Sequence, residues 1–383
     1  MTRFPTHRRG EDGSLLMSML AVLMVTTIAV TLFAYVVMGN RTTRQDRSFQ
    51  TSVTGADAGL HYALTDVTFN GAAASPGDTR TGTGTIGDVE YTWTATKSAT
   101  GEWDVEATGT AGVGENVSTR TFVASITQKT LFSLGAFADL AFVMRGSNDV
   151  LSYDSSTGAT NTGLGSIGSN GTVSVSGNGY ADVVYLFAGA VCDKKACDLD
   201  LEGSSEPFDI ESIRDFVTDE MAANCAPADF ESYTASSFGP LVGGNTYCFT
   251  NMDFDVDTTL SAASSAAPVR VFVSGNISTD NHVEVNCPDC SSAGFATPDA
   301  GSLQIYSSGS LVAIGNHNHL AGAIAAPNAS CEGNPSNAQA TVYGSIVCAD
   351  LTNQGGWAFR YDVNLTNLTS PDFDLANVRE ETN

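Results

Sequence analysis

An uncharged apolar run near the amino end constrains this 383-residue chain more than any other feature. From Leu15 to Met38 there are 24 residues without a charged side chain, interrupted only by Ser18, Thr26, Thr27 and Thr31. About 20 apolar residues suffice to cross a bilayer as a helix. Core helices of soluble domains are seldom apolar on every side for six turns, and a cleaved secretory signal has a shorter apolar part. The run therefore predicts a membrane-spanning helix.

Basic residues at the short amino end predict the orientation of this helix. Arg3, Arg8 and Arg9 precede the apolar run, and such residues favour the cytoplasmic side of a membrane. We therefore expect a single-pass protein of the cell membrane with a cytoplasmic amino terminus. Everything after Met38 then lies outside the cytoplasmic membrane, in an extracellular or periplasmic space.

Apolar spacing predicts that the helix continues beyond the membrane. Apolar residues recur at steps of three, four and seven, which places them on one helical face, at Phe49, Val53, Ala56, Leu60, Leu64 and Val67. This amphipathic half is expected to pack on a sheet. Gly39 and Asn40 mark a position where the helix is expected to kink.

The charge balance excludes a nucleic-acid-binding role. Asp and Glu number 42 against 17 Lys and Arg, which leaves a net charge of −25, and six of the 17 basic residues lie within the first 47 positions. Phosphate neutralisation needs a basic face, which the remainder of the chain lacks. With 38 Gly, 15% charged residues and 42% hydrophobic residues, the exported part favours short strands and turns.

Strand patterns divide the exported part into two regions. Alternating residues at Val89–Ala95, Trp103–Ala107 and Thr119–Ile126 predict an antiparallel sheet within residues 73–132, preceded by a Gly/Ala/Thr-rich linker at 73–85. From residue 133 to 383, short apolar segments alternate with Gly, Asn and Ser at spacings of about 20–25 residues or less, which is typical of a β-helix or β-solenoid. One helix is expected at Asp209–Ala223. The fold class is α+β.

The amino-terminal residues resemble a known family. Glu11 to Leu16, followed by the apolar run, resembles the processing site of type IV prepilins, and Ser48 to Leu60 resembles the signature of PilX-type minor pilins. The resemblance implies a leader at 1–13 and a helix at 14–72 that contacts other pilins. It also implies that a membrane-embedded prepilin peptidase cuts after Gly13 and methylates Ser14. A cut after Gly10 would leave two carboxylates at the head of a membrane helix, at a high energetic cost.

One position departs from the family pattern. Major pilins carry Glu as the fifth residue after the cut, where this chain has Ser18. The departure favours a minor pilin or pseudopilin of a type IV pilus or a type II secretion-like fibre, placed at the tip. The alternatives are a membrane-anchored surface adhesin and a β-helix enzyme acting on polysaccharides. Farther along, Gly322–Asn328 and Gly344–Val347 weakly resemble uncharacterised carboxy-terminal domains of pilin-like proteins.

Eight cysteines, all after residue 190, predict four disulfides in an oxidising compartment: Cys192, Cys197, Cys225, Cys248, Cys287, Cys290, Cys331 and Cys348. The sequence alone does not fix their connectivity, although joining neighbours in order would close four local loops. Two alternatives remain for Cys287 and Cys290, namely a redox-active pair and a zinc site that also uses His282.

Other candidate sites are few. His317 and His319 could hold a metal on one face of a strand, and Asp253, Asp255 and Asp257 resemble the start of a calcium loop without its later Gly and Glu. No nucleophile elbow, phosphate loop or zinc-protease helix occurs, so no catalytic residue and no cofactor are predicted. The expected partners are the membrane, the prepilin peptidase, other pilins and a surface ligand.

Overall fold

The computed structural model describes residues 12–70, 74–98, 102–112, 117–146, 149–187, 189–204, 207–288, 290–291, 295–333, 340–353 and 355–381. The chain forms two compact units. The first unit comprises residues 1–128 and 371–383, and the second unit comprises residues 129–370. The sequence patterns divide the exported part at residue 133 and assign everything beyond it to the second region. In the structure, residues 371–383 belong to the first unit instead.

The described residues contain the α-helices α1 (Asp12–Asn70) and α2 (Ile210–Asn224). The strands in chain order are Thr79–Ile86 (β1), Val89–Lys97 (β2), Trp103–Ala111 (β3), Ser118–Thr130 (β4), Ala136–Met144 (β5), Asp149–Asp154 (β6), Ala159–Thr160 (β7), Ser166–Ser169 (β8), Thr172–Val175 (β9), Tyr180–Ala181 (β10), Val183–Phe187 (β11), Val191–Lys194 (β12), Leu201–Ser204 (β13), Glu231–Thr234 (β14), Thr246–Phe254 (β15), Val269–Val273 (β16), Ile277–Thr279 (β17), Glu284–Val285 (β18), Leu303–Ser307 (β19), Leu311–Ile314 (β20), His319–Gly333 (β21), Thr341–Asn353 (β22), Ala358–Asp362 (β23) and Thr369–Glu380 (β24).

The first unit places α1 on a five-stranded sheet in the order β1-β2-β3-β4-β24. Strands β1 to β4 pair antiparallel, which confirms the predicted sheet. The helix has 59 residues and remains helical through Gly39 and Asn40. At 1.5 Å per residue it is about 90 Å long. An apolar core lies between its carboxy-terminal half and the sheet. The helix contributes Leu60 and Val67 to this core, and the sheet contributes Trp93 and Trp103.

The segment predicted as a linker contains a strand. β1 pairs with β2 over its whole length although it has only one large apolar residue, Ile86. A Cβ on Gly82 would lie 2.5 Å from the Trp93 ring, and one on Gly84 would lie 2.2 Å from the Tyr91 hydroxyl. The two glycines therefore leave room for the aromatic rings of β2 to lie across β1, and this packing replaces the usual alternation of apolar residues.

The second unit is a mostly β domain with a parallel, solenoid-like arrangement of three faces. One face contains β16, β19, the middle of β21 and β22, β8 and β11, and it packs against α2. The next, here called the open face, contains β17, β20, the ends of β21, β22 and β5, and β9 and β12. The third contains β18, β23, β6 and β10. This confirms the predicted solenoid-like character.

The coils of the second unit are not stacked in sequence order. β5 pairs with β22 on one side and with β8 and β9 on the other, so the first coil of the unit lies in the middle of the stack. The coils from β5 to β13 extend away from β5 on one side. The coils from β14 to β23 form the other side of the stack, and the last of them lies next to the coil of β5. Two runs of coils thus meet at β5, an order that sequence periodicity does not predict.

Helix α2 lies along one face of the solenoid. Its amino end is capped by Asp209, whose Oδ1 accepts a hydrogen bond from the Ser212 N–H at 3.1 Å. Ile210, Ile213 and Val217 are buried in the apolar layer between the helix and the strands. Near β14 the solenoid interior is filled by a cluster of aromatic rings, namely Tyr233, Phe238, Tyr247, Phe249 and Phe254.

Candidate functional site

The amino-terminal half of α1 presents an apolar surface on all sides. From Met17 to Met38 its large hydrophobic side chains are exposed within the chain, among them Leu23 at 68% and Phe33 at 73%. The helix is long and apolar enough to cross a membrane. An exposed apolar surface of this length is unfavourable in water and is suited to an apolar environment such as the interior of a membrane.

The threonines in this run form hydrogen bonds within the helix. The Thr26 hydroxyl donates to the Val22 carbonyl at 2.9 Å, and the Thr31 hydroxyl donates to the Thr27 carbonyl at 2.6 Å. Their polar atoms therefore need no partner from outside the helix. The run remains compatible with an apolar environment despite its hydroxyl groups.

The predicted processing site lies at the start of α1. Gly13 and Ser14 are in its first turn, the side chain of Ser14 lies outside the described part, and residues 1–11 of the leader also lie outside it. Ser18 follows one turn later and is exposed.

The segment that resembles the minor-pilin signature approaches the sheet closely. A Cβ on Gly55 would lie 2.5 Å from the Val89 side chain, and one on Gly59 would lie 3.0 Å from the Ala107 Cβ. Ser52 is buried here, and its hydroxyl donates to the Phe49 carbonyl at 2.8 Å. These small residues allow close contact between helix and sheet, which explains why the segment contains glycines inside a helix.

Phe49 has a different environment from the one its spacing predicts. Its side chain is 40% exposed and packs under the Arg120 guanidinium, whose central carbon lies 4.1 Å from the ring centroid. Arg120 Nη1 also donates to Glu380 Oε1 at 3.0 Å. A cation–π contact and an ion pair thus join α1, β4 and β24 within the first unit.

The candidate calcium ligands do not converge. Asp253 Oδ1 accepts from the Ser278 hydroxyl at 2.9 Å, Asp255 accepts from Ser236, and Asp257 Oδ1 accepts from the Glu284 N–H at 2.8 Å. The hydrogen bonds from Ser236 lower the pKa of Asp255. Within the described residues, no group of three or more His, Cys, Asp or Glu is arranged to hold a metal ion.

His317 and His319 have different environments. His317 lies in the turn before β21 with a φ of 56°, whereas His319 is the first residue of that strand. Burial lowers the pKa of His319, whose Nδ1 has no hydrogen-bond partner in the described part of the chain. The side chain that stacks on His317 is His282, on the preceding coil.

All eight cysteines form disulfides, in the pairs Cys192–Cys197, Cys225–Cys248, Cys287–Cys290 and Cys331–Cys348. These are the pairs obtained by joining neighbours in order. Cys287 and Cys290 are buried with Tyr153, Ala321 and Tyr343. Their burial and pairing leave them neither an accessible thiol nor a free zinc ligand.

A cavity of 390 Å³ lies in the second unit, and both polar and apolar residues line it, among them Ser155, Asp299, Asn364, Leu365 and Leu368. The neighbouring Asp362 is fully buried. Its Oδ1 accepts from Asn364 N–H at 3.2 Å, while Oδ2 has no hydrogen-bond partner within the described residues. Burial raises the pKa of Asp362 above its usual value. Sequence reasoning missed this group because nothing near it in sequence indicates its burial.

The motif around Pro327 forms a hydrogen-bonded contact with α2. Arg214 donates from Nε to Asn328 Oδ1 at 3.1 Å and from Nη2 to the Pro327 carbonyl at 3.3 Å. Arg214 Nη2 also donates to Asp139 Oδ2 at 3.0 Å. The segment Gly322–Asn328 therefore serves as a docking point for the helix, which is a structural role.

Comparison with known proteins gives limited similarity. A family model described as a domain of unknown function (DUF7305) matches residues 241–368. No curated protein matches the chain. Among solved structures, the chain is similar to a glycosylated ice-binding protein from an Arctic yeast, at 11% identity and a TM-score of 0.36, over 60% of this chain and 90% of that chain.

A second structural similarity is to the competence-associated pilin ComZ from Thermus thermophilus. The identity is 11% and the TM-score 0.30, over 86% of this chain and 97% of that chain. Another structure of the ice-binding protein from Arctic yeast has 12% identity and a TM-score of 0.29, over 61% of this chain and 94% of that chain. At these scores the similarities do not define a function.

Proposed function

We propose that this protein is a minor pilin or pseudopilin that acts in the assembly of a type IV pilus or a type II secretion-like fibre, at the fibre tip. One observation carries the proposal. A single helix, α1, has an apolar half exposed on all sides and a second half packed on an antiparallel sheet. Such a helix suits storage in a membrane followed by packing among the helices of other subunits.

The proposal includes partners and a route of maturation. The prepilin peptidase cuts after Gly13 and methylates Ser14, the membrane holds α1 before assembly, and other pilins contact α1 afterwards. The residues after Met38 then lie outside the cytoplasmic membrane, where the four disulfides form. The proposal assigns no catalytic residue and no cofactor to the chain.

The tip position rests on Ser18 and on the size of the exported part. In a fibre core, the amine of one subunit is stabilised by a carboxylate of its neighbour, and an unpaired buried charge costs several kcal/mol. A subunit at the tip has no subunit above it that needs this carboxylate, so Ser18 is tolerated there. The large second unit, residues 129–370, would also crowd a closely packed shaft if it were repeated.

Mass spectrometry of the mature protein tests the maturation step. We expect a chain that begins at Ser14 with a methylated amine. A protein that begins at Met1, or one cut beyond Met38, would contradict this step. A membrane-anchored surface adhesin remains the second candidate, because the second unit presents an open sheet face. The amount of this protein in sheared fibres tests it against the fibre-tip proposal.

A further inference from the structure

Three of the five histidines of the chain lie at one corner of the solenoid. His282 follows β17, and His317 and His319 lie between β20 and the start of β21. This corner joins the open face to the third face. No Lys or Arg occurs between Arg270 and Arg360, so the surrounding sequence is acidic or neutral.

His282 and His317 form a parallel stack. Their ring centroids are 4.8 Å apart, the ring planes differ by 6°, and both side chains are exposed. β17 and β20 pair at Ser278 and Ala313, and β18 and β21 pair at Glu284 and His319. The two coils have equal lengths between these pairings, so the two histidines occupy equivalent positions.

The backbone beneath the rings is held by hydrogen bonds. His282 N–H donates to the Asn316 carbonyl at 2.7 Å, and Asn316 N–H donates to Asn281 Oδ1 at 2.8 Å. The buried Asn318 accepts from Val283 N–H at 2.8 Å and donates to the Asp280 carbonyl at 2.6 Å. His282 and His317 both have a positive φ, at 63° and 56°. The spacing of their Cα atoms is thus fixed by the fold rather than by the side chains.

We propose that His282 and His317 bind one divalent transition-metal ion of the Cu²⁺, Ni²⁺ or Zn²⁺ class, as a bidentate pair across adjacent coils. Imidazole nitrogen is a preferred ligand of these ions. Two metal–nitrogen bonds of about 2 Å place the ligand nitrogens about 3–4 Å apart. Equivalent nitrogens of the stacked rings reach that separation by a small inward tilt, which the exposed side chains permit.

Water completes the coordination in this proposal, and His319 is not assigned as a ligand. His319 is half-buried and belongs to β21, and no set of three ligating residues surrounds one point in the described part of the chain. The carboxylates of Asp257 and Glu284 on the same corner favour a cation through their charge. The resulting site is exposed and accessible from solvent.

The test uses the full-length protein in detergent, titrated with CuCl₂ near neutral pH and followed by electron paramagnetic resonance. We expect one Cu²⁺ with couplings to two imidazole nitrogens. His282→Asn and His317→Asn should each weaken binding by about tenfold or more, because each removes one of two ligands. The double variant should bind Cu²⁺ at least as weakly as either single variant, because it retains neither ligand. Asparagine is chosen because it tolerates positive φ, which preserves the turns.

The matched control is His61→Asn. His61 is an exposed histidine on α1 in the first unit, so this substitution should leave Cu²⁺ binding unchanged. Unchanged Cu²⁺ affinity in both His282→Asn and His317→Asn would overturn the proposal. Loss of binding in His319→Asn alone, or a single nitrogen coupling in the unsubstituted protein, would also overturn it. Thermal unfolding without metal shows whether each variant retains its fold, so that loss of the ligand is separated from loss of structure.

Discussion

Gly109 of β3 lies directly against the backbone of Ala56 on α1, such that a Cβ at Gly109 would be 2.3 Å from the Ala56 nitrogen and 2.1 Å from the Ser52 carbonyl oxygen. Neither neighbour is a flexible side chain that can move aside. The helix and the sheet can therefore approach this closely only because residue 109 of β3 has no side chain.

Gly109→Ala is expected to destabilise the first unit by about 3 kcal/mol, at the upper end of overpacking effects. The neighbouring outward-facing substitution Thr110→Ser should change stability by less than about 0.5 kcal/mol. Urea unfolding followed by tryptophan fluorescence measures both, since two of the three tryptophans, Trp93 and Trp103, lie in this unit. Equal stability of the two variants would contradict the close contact.

Arg214→Ala is expected to destabilise the second unit by about 2 kcal/mol, because it removes charge-assisted hydrogen bonds that join α2 to Asp139 and Asn328. Arg214→Lys keeps the charge but lacks the planar fork, so it should recover only part of the loss. Chemical unfolding of the full-length variants provides the measurement. Full recovery by lysine would show that charge alone, and not the hydrogen-bond geometry, holds the helix.

Removal of the Cys225–Cys248 disulfide should destabilise the second unit more than removal of Cys192–Cys197. The first pair is separated by 23 residues and the second by five. The longer loop corresponds to about 3 kcal/mol in the chain-entropy account, and the shorter loop to less. Paired alanine variants compared in urea test this order. Thiol titration of the unfolded, unreduced protein should detect no free thiol, and several free thiols would contradict the pairing.

Asp362 gives the second unit a stability term that falls as pH rises. Because burial raises the pKa of Asp362, the folded state holds its proton at a pH where the unfolded chain has released it. The term is complete below the ordinary carboxyl pKa of about 3.9 and is lost as pH rises through the folded value. Asp362→Asn keeps a side-chain oxygen that accepts from Asn364, and it should be more stable than the native protein between pH 4 and pH 7. The difference should roughly equal the stability that the native protein loses over this range because the pKa of Asp362 is raised.

The measurement compares denaturation of the native protein and Asp362→Asn across that range. Asp154 provides the opposite case, since hydrogen bonds from Ser156 and Asn364 lower its pKa and make it stabilising once it is ionised. A stability difference between the native protein and Asp362→Asn that does not vary with pH would contradict the shift at Asp362.

Sheared fibres should contain few copies of this protein relative to the major subunit. Ser18 and the large second unit both favour the tip, where only one copy or a small number can be placed. Quantitative mass spectrometry of purified fibres decides the matter. Abundance comparable to the major subunit would contradict the tip position, and complete absence from fibres would favour an adhesin that stays in the membrane.

Local patterns predicted part of the first unit, and they did not predict features that depend on residues distant in sequence. The spacing of Leu60 and Val67 and the alternation around Trp93 and Trp103 predicted the helix–sheet contact, because burial on one face determines both patterns. β1 was not predicted, since its glycines have a role only once the rings of β2 lie over them. The stacking of His282 on His317 depends on equal coil lengths between distant pairings, which no local pattern contains.

The position of β5 in the middle of the coil stack has a kinetic consequence. The Ser345 hydroxyl donates to the Leu134 carbonyl across 211 residues of sequence, and Arg120 pairs with Glu380 across 260. Contacts this distant in sequence make folding slow, because a long loop must close before they form. Neither unit can complete its sheet until the last strands have been synthesised. A truncation near residue 340 would therefore leave both units incomplete at once, because β22 and β23 of the second unit and β24 of the first unit all lie beyond it.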